Sequence, residues 1–268
     1  MKDHENHVSD EKKYSEPLPE EFLFDEEESE EDLQKRRRKT TFLRIIGLAV
    51  AVLIILQGAT SLFNVFSRDS IELARISESL SELDQISELK DAVVTIQGEG
   101  GRGTGFAVHP DGYILTNHHV IHRKEPLAAV FSNGDLFHAS VIKSNEELDV
   151  ALLKVEGTDL PYLPIRLKPA VKQESIYVIG NPLSQSQIVG KGKVINDEIP
   201  YQIMKLSASI YPGHSGSPVL SEEGEVIGIV YARTIPALRD KENSHGLAVP
   251  MERVVAEFHV LKQLMESY

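Results

Sequence analysis

The chain has 268 residues, of which 41% are hydrophobic and 26% charged, a composition typical of a globular protein with one or two domains. It contains no cysteine, which excludes disulfides, thiolate nucleophiles and cysteine-based zinc sites. A formal net charge of -13 argues against nucleic-acid binding.

The first segment of the chain is strongly acidic. Residues 1–34 hold 14 acidic side chains and three lysines, so most of the net charge lies there. A segment of this kind buries too little apolar surface to offset the entropy lost on ordering. We predict that residues 1–40 form a disordered cytoplasmic tail, which ends in the basic cluster Lys35–Lys39.

A long apolar run follows the basic cluster. Between Ile45 and Phe66 the only polar side chains are Gln57, Thr60, Ser61 and Asn64. About 20 apolar residues suffice to span a bilayer as a helix. A buried core helix and a signal peptide cleaved near Gly58 and Ala59 are the alternatives. Because basic residues precede the run, we predict a transmembrane helix over residues 41–67, with the N-terminus cytoplasmic and the remainder outside.

Residues 68–90 show a helical pattern. Apolar side chains recur at spacings of three and four, at Ile76, Leu80, Leu83 and Ile86. Two alternatives stay open for this predicted stalk. It could pack one face on the rest of its own chain, or form a short coiled coil that joins protomers into a homo-oligomer such as a trimer.

From Asp91 onward the pattern changes to short strands separated by turn residues. The first series of strands is Val93–Ile96, Gly105–Val108, Tyr113–Thr116, Ala128–Phe131, Leu136–Lys143 and Val150–Val155. The second series is Ser175–Ile179, Gln187–Ile195, Ile203–Ser209, Pro218–Leu220, Val226–Ala232 and Leu247–Val249. Residues 168–174 join the two series, and a helix from Met251 to about Ser267 closes the chain. Many short strands without interleaved helices predict an all-β barrel or sandwich.

Three glycines near the start of this region match a nucleotide-binding pattern. Gly98, Gly100 and Gly103 fit G-x-G-x-x-G, which requires a helix to begin directly afterwards. The segment Phe106–Val108 instead continues as a strand, so we reject nucleotide binding. We expect these glycines to form a flexible loop that leads into a barrel strand.

Three separate segments carry residues suited to nucleophilic catalysis. Ser215 lies in a glycine-flanked turn, Gly213–Pro218, and a serine hydroxyl needs a base and oxyanion donors to react. His119 follows the strand Tyr113–Thr116. Asp149 opens an apolar strand, where its carboxylate could accept a hydrogen bond from an imidazole and fix its tautomer.

These segments resemble the HtrA/Deg type of trypsin-like serine protease. The matching motifs are Thr116-Asn117-His118-His119-Val120, Asp149-Val150-Ala151-Leu152-Leu153-Lys154-Val155 and Gly213-His214-Ser215-Gly216-Ser217. Further matches are Gly103–Phe106, Asp111–Asn117, Ile179–Pro182, Gly224–Ile229 and Gly246–Pro250. The resemblance covers about residues 91–260. It implies a chymotrypsin-like double six-stranded β-barrel with a C-terminal helix, and a protease domain over residues 91–268.

The resemblance also implies the role of each site residue. His119 is the general base and then the general acid, Asp149 orients it, and Ser215 attacks the substrate. The backbone N–H groups of Gly213 and Ser215 would form the oxyanion hole. No cofactor is implied. No metal site is expected either, since no carboxylate motif accompanies His118, His119 and His122.

The sequence departs from the family pattern at three places. His214 stands where the family has Asn, and Ser217 stands where it has Gly. If position 217 requires a positive φ, Ser would cost about 1 kcal/mol there. The family usually carries a PDZ domain after the protease, whereas only the terminal helix follows here, so we expect no peptide-gated activation.

In this family, the residue six positions before the nucleophile forms the bottom of the primary specificity pocket. Here it is Ser209 rather than an acid. The pocket should be lined by Ile210 and the strand residues Val230, Tyr231, Ala232 and Arg233. We expect cleavage after small or medium aliphatic residues.

We therefore predict that the protein is a membrane-anchored serine endopeptidase. It would hydrolyse protein or peptide substrates outside the cytoplasm, in protein quality control. A pseudoprotease that only binds peptides, and an interaction scaffold, are the alternatives. The complete His119, Asp149 and Ser215 set favours the enzyme.

Overall fold

A computed structural model describes residues 30–81, 84–182, 185–196, 202–234 and 244–266. The chain divides into two compact units, Met1–Asn64 and Val65–Tyr268. Residues 1–29, which hold most of the predicted acidic tail, lie outside the described residues.

The first described element is a long helix, α1 (Glu30–Ser81). By length and composition, its stretch Leu33–Gln57 could cross a membrane, with a mean hydropathy of 2.1. The apolar side chains from Phe42 to Leu56 are exposed. The structure does not describe the side chains of residues 58–73, and the predicted span over residues 41–67 stays a prediction.

The end of α1 and the short helix α2 (Asp84–Asp91) pack on the strands that follow. The hydroxyl of Ser77 accepts a hydrogen bond of 3.0 Å from the N–H of Val189. The side chain of Ile86 is only 2% exposed and lies in the core. One face of the predicted stalk is therefore covered by its own chain. Leu83 and the side chain of Ile76 lie outside the described residues.

Six antiparallel strands close into the first barrel. They are β1 (Val93–Gly98), β2 (Gly101–His109), β3 (Tyr113–Thr116), β4 (Leu127–Val130), β5 (Leu136–Asn145) and β6 (Val150–Val155). Their order around the barrel is β1-β2-β3-β6-β5-β4. A one-turn helix, α3 (His118–Ile121), lies between β3 and β4. The first predicted series of strands is confirmed, with its ends shifted by a few residues.

The glycines near residue 100 have a different role from the predicted flexible loop. β1 and β2 form a hairpin joined only by Glu99 and Gly100, with Gly100 at φ +75°. A Cβ on Gly103 would lie 2.7 Å from the Val120 side chain. These glycines therefore allow a tight turn and the close approach of α3 to β2.

Six further strands form a second sheet. They are β7 (Ser175–Gly180), β8 (Ile188–Lys193), β9 (Met204–Leu206), β10 (Pro218–Leu220), β11 (Val226–Arg233) and β12 (Gly246–Pro250). Their order is β8-β7-β10-β11-β12-β9, and an isolated bridge joins Val194, directly after β8, to Leu206 of β9. A closed barrel beside a half-barrel confirms the predicted chymotrypsin-like class.

The predicted C-terminal helix is interrupted. It forms α4 (Met251–Glu257) and α5 (His259–Glu266), with Phe258 between them at φ -102° and ψ 74°. The break lets the Phe258 ring become fully buried in a core that both barrels share. The Nζ of Lys143 lies 5.2 Å from the centroid of this ring. The free energy gained by burying this aromatic side chain thus exceeds the cost of breaking the helix.

Candidate active site

His119 lies on α3, the single turn that follows β3. Asn117, at the start of this turn, is buried, and its Nδ2 donates a hydrogen bond of 2.7 Å to the carbonyl of Asp149. The side chain of His119 is 47% exposed, so its ring is open to solvent on one side. The strand and its turn therefore present an imidazole that a substrate can reach.

Asp149 holds His119 through two hydrogen bonds. Its Oδ2 lies 2.6 Å from the His119 Nδ1, and its Oδ1 accepts the backbone N–H of His119 at 2.9 Å. One carboxylate thus fixes both the ring and the backbone of this residue. Because Nδ1 is engaged, the Nε2 atom is the one left to exchange protons with a substrate or nucleophile.

The backbone of Asp149 is left-handed, with φ +54°. It ends a turn in which its N–H donates to the Glu146 carbonyl at 3.2 Å, directly before β6. Asp tolerates this conformation better than most residues, at a cost of about 1 kcal/mol. The turn directs the carboxylate toward α3 before the strand begins.

Ser215 lies in a turn whose glycines adopt conformations that other residues avoid. Gly213 has φ +104° and Gly216 has φ +84°. A Cβ on Gly216 would lie 2.0 Å from the Thr104 carbonyl and 2.6 Å from the Thr116 hydroxyl. The turn therefore packs closely against β3, the strand that leads to His119. Among the described residues, no hydrogen bond joins the Ser215 hydroxyl to His119, and such bonds often form only with substrate bound.

Two N–H groups of this turn are free to bind an anion. The N–H groups of His214, Gly216 and Ser217 donate to the carbonyls of Tyr211, Val230 and His214, at 3.1, 2.9 and 2.9 Å. Within the described part of the chain, the N–H groups of Gly213 and Ser215 have no acceptor. Two free donors in one turn are suited to stabilise an oxyanion.

Ser217 does not adopt a positive φ, so the conformational cost of a serine at this position does not arise. Its side chain is buried, and its Oγ has no partner among the described residues. A Cβ on Gly180 would lie 2.1 Å from this oxygen. The glycine of the β7 end therefore makes room for the serine.

The residues predicted to line the specificity pocket lie on two segments that meet beside the turn. Ser209 is exposed, whereas Ile210 is buried against Gly246 of β12. Val230, Tyr231, Ala232 and Arg233 end β11, and the Arg233 Nη1 donates to the Ile210 carbonyl at 3.4 Å.

Tyr231 differs from its neighbours on this strand. It lies at a register shift between β11 and β12, and its side chain packs on the core shared by the barrels. Burial and the nearby Asp149 carboxylate raise the pKa of its hydroxyl. The hydroxyl of Tyr231 therefore lies within the electrostatic influence of the Asp149 carboxylate.

Sequence reasoning identified His118 and His122 only as neighbours of the catalytic candidate. Their rings lie 4.9 Å apart, and the His118 Nδ1 lies 2.7 Å from the Ser144 Oγ. In the described ranges, no three His, Cys, Asp or Glu side chains converge as a metal site would require.

His214 is buried in the turn beside the nucleophile. Its Nδ1 lies 3.1 Å from the backbone nitrogen of Tyr211 and 3.3 Å from the carbonyl oxygen of the same residue. Burial lowers the pKa of His214 from 6.5 to about 4. The folded state therefore contains an uncharged imidazole at this position.

We expect this burial to make stability depend on pH. A folded pKa below the unfolded one means that the unfolded chain binds more protons between pH 6.5 and 4. The stabilisation is complete above pH 6.5 and is lost as the pH falls to 4, by about 3 kcal/mol. Denaturant unfolding of Val65–Tyr268 at pH 7 and pH 4 measures this loss. A His214→Asn variant should lack it, and an equal loss in both proteins would contradict the assignment.

The fold and this arrangement define a trypsin-like peptidase domain. A family model described as a trypsin-like peptidase domain matches residues 103–229. A probable periplasmic DegP-like serine endoprotease of Pseudomonas savastanoi is 33% identical over 134 residues, which cover 47% of this chain and 28% of that protein. The serine endoprotease DegS of Haemophilus influenzae is 32% identical over 136 residues, which cover 47% of this chain and 40% of that protein.

Solved structures agree with this classification. The crystal structure of a serine endoprotease from Yersinia pestis has a TM-score of 0.57 and 27% identity, and the match covers 68% of this chain and 66% of that one. A structure from M. tuberculosis, at 22% identity and a TM-score of 0.58, shows the same fold. The chain is therefore similar to HtrA-like proteases of the trypsin type. It spans less than half the length of the curated relatives named here.

Proposed function

We propose that this chain is a membrane-anchored serine endopeptidase. One observation carries the proposal. Asp149 holds His119 through two hydrogen bonds, and the turn with free N–H groups at Gly213 and Ser215 packs against Thr116, on the strand that leads to His119. The relatives are named serine endoproteases, which agrees with the chemistry that these residues can perform.

Each residue has a defined part in the proposed hydrolysis. The Ser215 Oγ attacks the carbonyl carbon of the scissile bond and passes its proton to the His119 Nε2. Asp149 stabilises the imidazolium that results. The N–H groups of Gly213 and Ser215 bind the oxyanion. His119 then protonates the leaving amine as the C–N bond breaks, and the same base activates the water that releases the acyl group.

The proposed location is the outer face of a membrane. Support comes from the apolar stretch within Leu33–Gln57 and from the basic cluster Lys35–Lys39 before its most apolar part. DegP-like relatives are named periplasmic, which fits a domain outside the cytoplasm. A role in protein quality control there is part of the proposal. So is assembly into a homo-oligomer through residues 68–90, which sedimentation of the full chain in detergent would test.

Active-site labelling tests the enzyme directly. The full chain in detergent should react with a fluorophosphonate at Ser215, located by mass spectrometry, and should cleave casein. Peptide binding without labelling or cleavage would favour the pseudoprotease instead. Extraction with alkaline carbonate should leave the full chain in the membrane fraction, and its release would contradict the anchor.

Ile210 should limit the primary specificity pocket. A Cβ on Gly246 would lie 2.6 Å from the Ile210 Cγ1, so the isoleucine packs closely on β12, and its carbonyl accepts a hydrogen bond from Arg233 of β11. We expect wild-type cleavage after small or medium aliphatic residues. Ile210→Ala should raise kcat/KM for leucine relative to alanine before the bond by about tenfold, because it frees volume.

A peptide library with mass-spectrometric detection measures this preference. Ile227→Ala truncates another buried isoleucine of the same core and should leave the preference unchanged. Wild-type cleavage mainly after Lys or Arg would contradict the proposed pocket.

A further inference from the structure

Thr104 joins the proposed oxyanion turn to both barrels. This β2 residue is fully buried. Its hydroxyl donates to the Gly213 carbonyl at 2.7 Å and accepts the N–H of Asn181 at 3.0 Å. Its backbone N–H donates to the Ser215 carbonyl at 2.9 Å, and its carbonyl accepts the Thr116 hydroxyl at 2.7 Å.

These contacts clamp alternate peptide units of the turn. The unit between Gly213 and His214 is held at its C=O by Thr104 and at its N–H by the Tyr211 carbonyl. The unit between Ser215 and Gly216 is held at its C=O by Thr104 and at its N–H by the Val230 carbonyl.

The peptide units with free N–H groups lie between and beside the clamped ones. They are the unit between Pro212 and Gly213 and the unit between His214 and Ser215, which carry the two proposed oxyanion donors. Gly213, with φ +104°, has no Cβ to restrict rotation of its peptide bonds. The direction of the Gly213 donor therefore depends on the hydrogen bonds that hold the neighbouring unit. The unit that carries the Ser215 donor is also held at its own C=O, because the His214 carbonyl accepts the N–H of Ser217.

We propose that Thr104 is a positioning residue, whose hydroxyl orients the oxyanion turn through the Gly213 carbonyl. This role rests on the proposed protease function. Thr104 touches no substrate atom. It acts on the rate by fixing where the N–H groups of Gly213 and Ser215 point.

Two substitutions separate the hydroxyl from the shape of the side chain. Thr104→Val keeps the branched shape and removes the hydrogen bonds to Gly213 and Asn181. Thr104→Ser keeps the hydroxyl. Thr95→Val is the matched control, since Thr95 is the cross-strand partner of Thr104 on β1 and, among the described residues, its side chain makes no hydrogen bond to the turn.

Steady-state kinetics and binding of a peptide aldehyde measure the effect on the full chain in detergent. The aldehyde forms a hemiacetal with Ser215 whose oxygen occupies the oxyanion hole. We expect Thr104→Val to lower kcat by about 10- to 100-fold with KM almost unchanged, and to weaken aldehyde binding by a similar factor. Thr104→Ser and Thr95→Val should stay close to wild type.

The outcomes distinguish the two proposals. A wild-type chain that cleaves no substrate contradicts the protease function and the positioning role with it. An active wild type with an equally active Thr104→Val variant overturns the positioning role alone. So does equal loss in Thr104→Val and Thr104→Ser, because the hydroxyl would then not be the cause.

Discussion

Replacing Ser215 with Ala is expected to lower kcat by about a millionfold. The substitution removes the hydroxyl of the proposed nucleophile and leaves the backbone donors in place. The residual rate should reflect substrate binding and the oxyanion donors alone. Ala fits the same backbone, because Ser215 does not have a positive φ.

Cleavage of a fluorogenic peptide by equal amounts of the two proteins measures this loss. Ser217→Ala provides the control, since it removes a neighbouring hydroxyl that has no hydrogen bond in the described part of the chain. It should retain activity. If the Ser215→Ala protein still cleaves the peptide, another residue must be the nucleophile.

The second large effect is expected for Asp149→Asn, at about ten thousandfold in kcat. An amide in place of the carboxylate can donate to the His119 Nδ1, which lies 2.6 Å from the Asp149 Oδ2. The ring would then carry its proton on Nε2 and could not accept one from Ser215. Asn tolerates the left-handed backbone of Asp149, so the turn should remain intact.

Kinetics and a melting curve together test this explanation. Asp159→Asn is a matched control, because Asp159 is an exposed aspartate at φ +57°. Its activity should stay near wild type. A small effect of Asp149→Asn, with both variants folded, would show that His119 does not need this partner.

The strands were predictable because their signals are local. Pro110-Asp111-Gly112 separates β2 from β3, with Gly112 at φ +86°. Asn133-Gly134 separates β4 from β5, with Gly134 at φ +90°. A turn of this kind is encoded by neighbouring residues, so one sequence suffices to find it.

Contacts between distant residues were beyond the same reasoning. The hydroxyl of Thr104 bonds to a carbonyl 109 positions away and to an N–H 77 positions away. The motif around Thr104 was visible, but its partners depend on how the two barrels meet. The space that Gly180 leaves for Ser217 has the same origin.

At Phe258, burial of the ring competes with continuation of the helix, and sequence periodicity does not predict which of the two is favoured. The apolar positions from Val254 to Leu264 fit a single continuous helix. In the structure, the Phe258 ring enters the shared core, which requires a non-helical backbone at that residue. Tertiary packing thus overrides local preference at one position.

The packing of residues 77–81 and 84–91 on the strands limits where the proposed membrane anchor could be cut from the domain. Ser77 binds the N–H of Val189, and the Nε2 of Gln187 donates to the Lys90 carbonyl at 2.7 Å. A cut before Ser77 would release a domain that keeps these bonds and the buried Ile86. A cut after Asp91 would strip a helix from the core and leave the Val189 N–H without its partner. Soluble release of an intact domain therefore requires cleavage before Ser77, upstream of the helical residues that pack on the barrels.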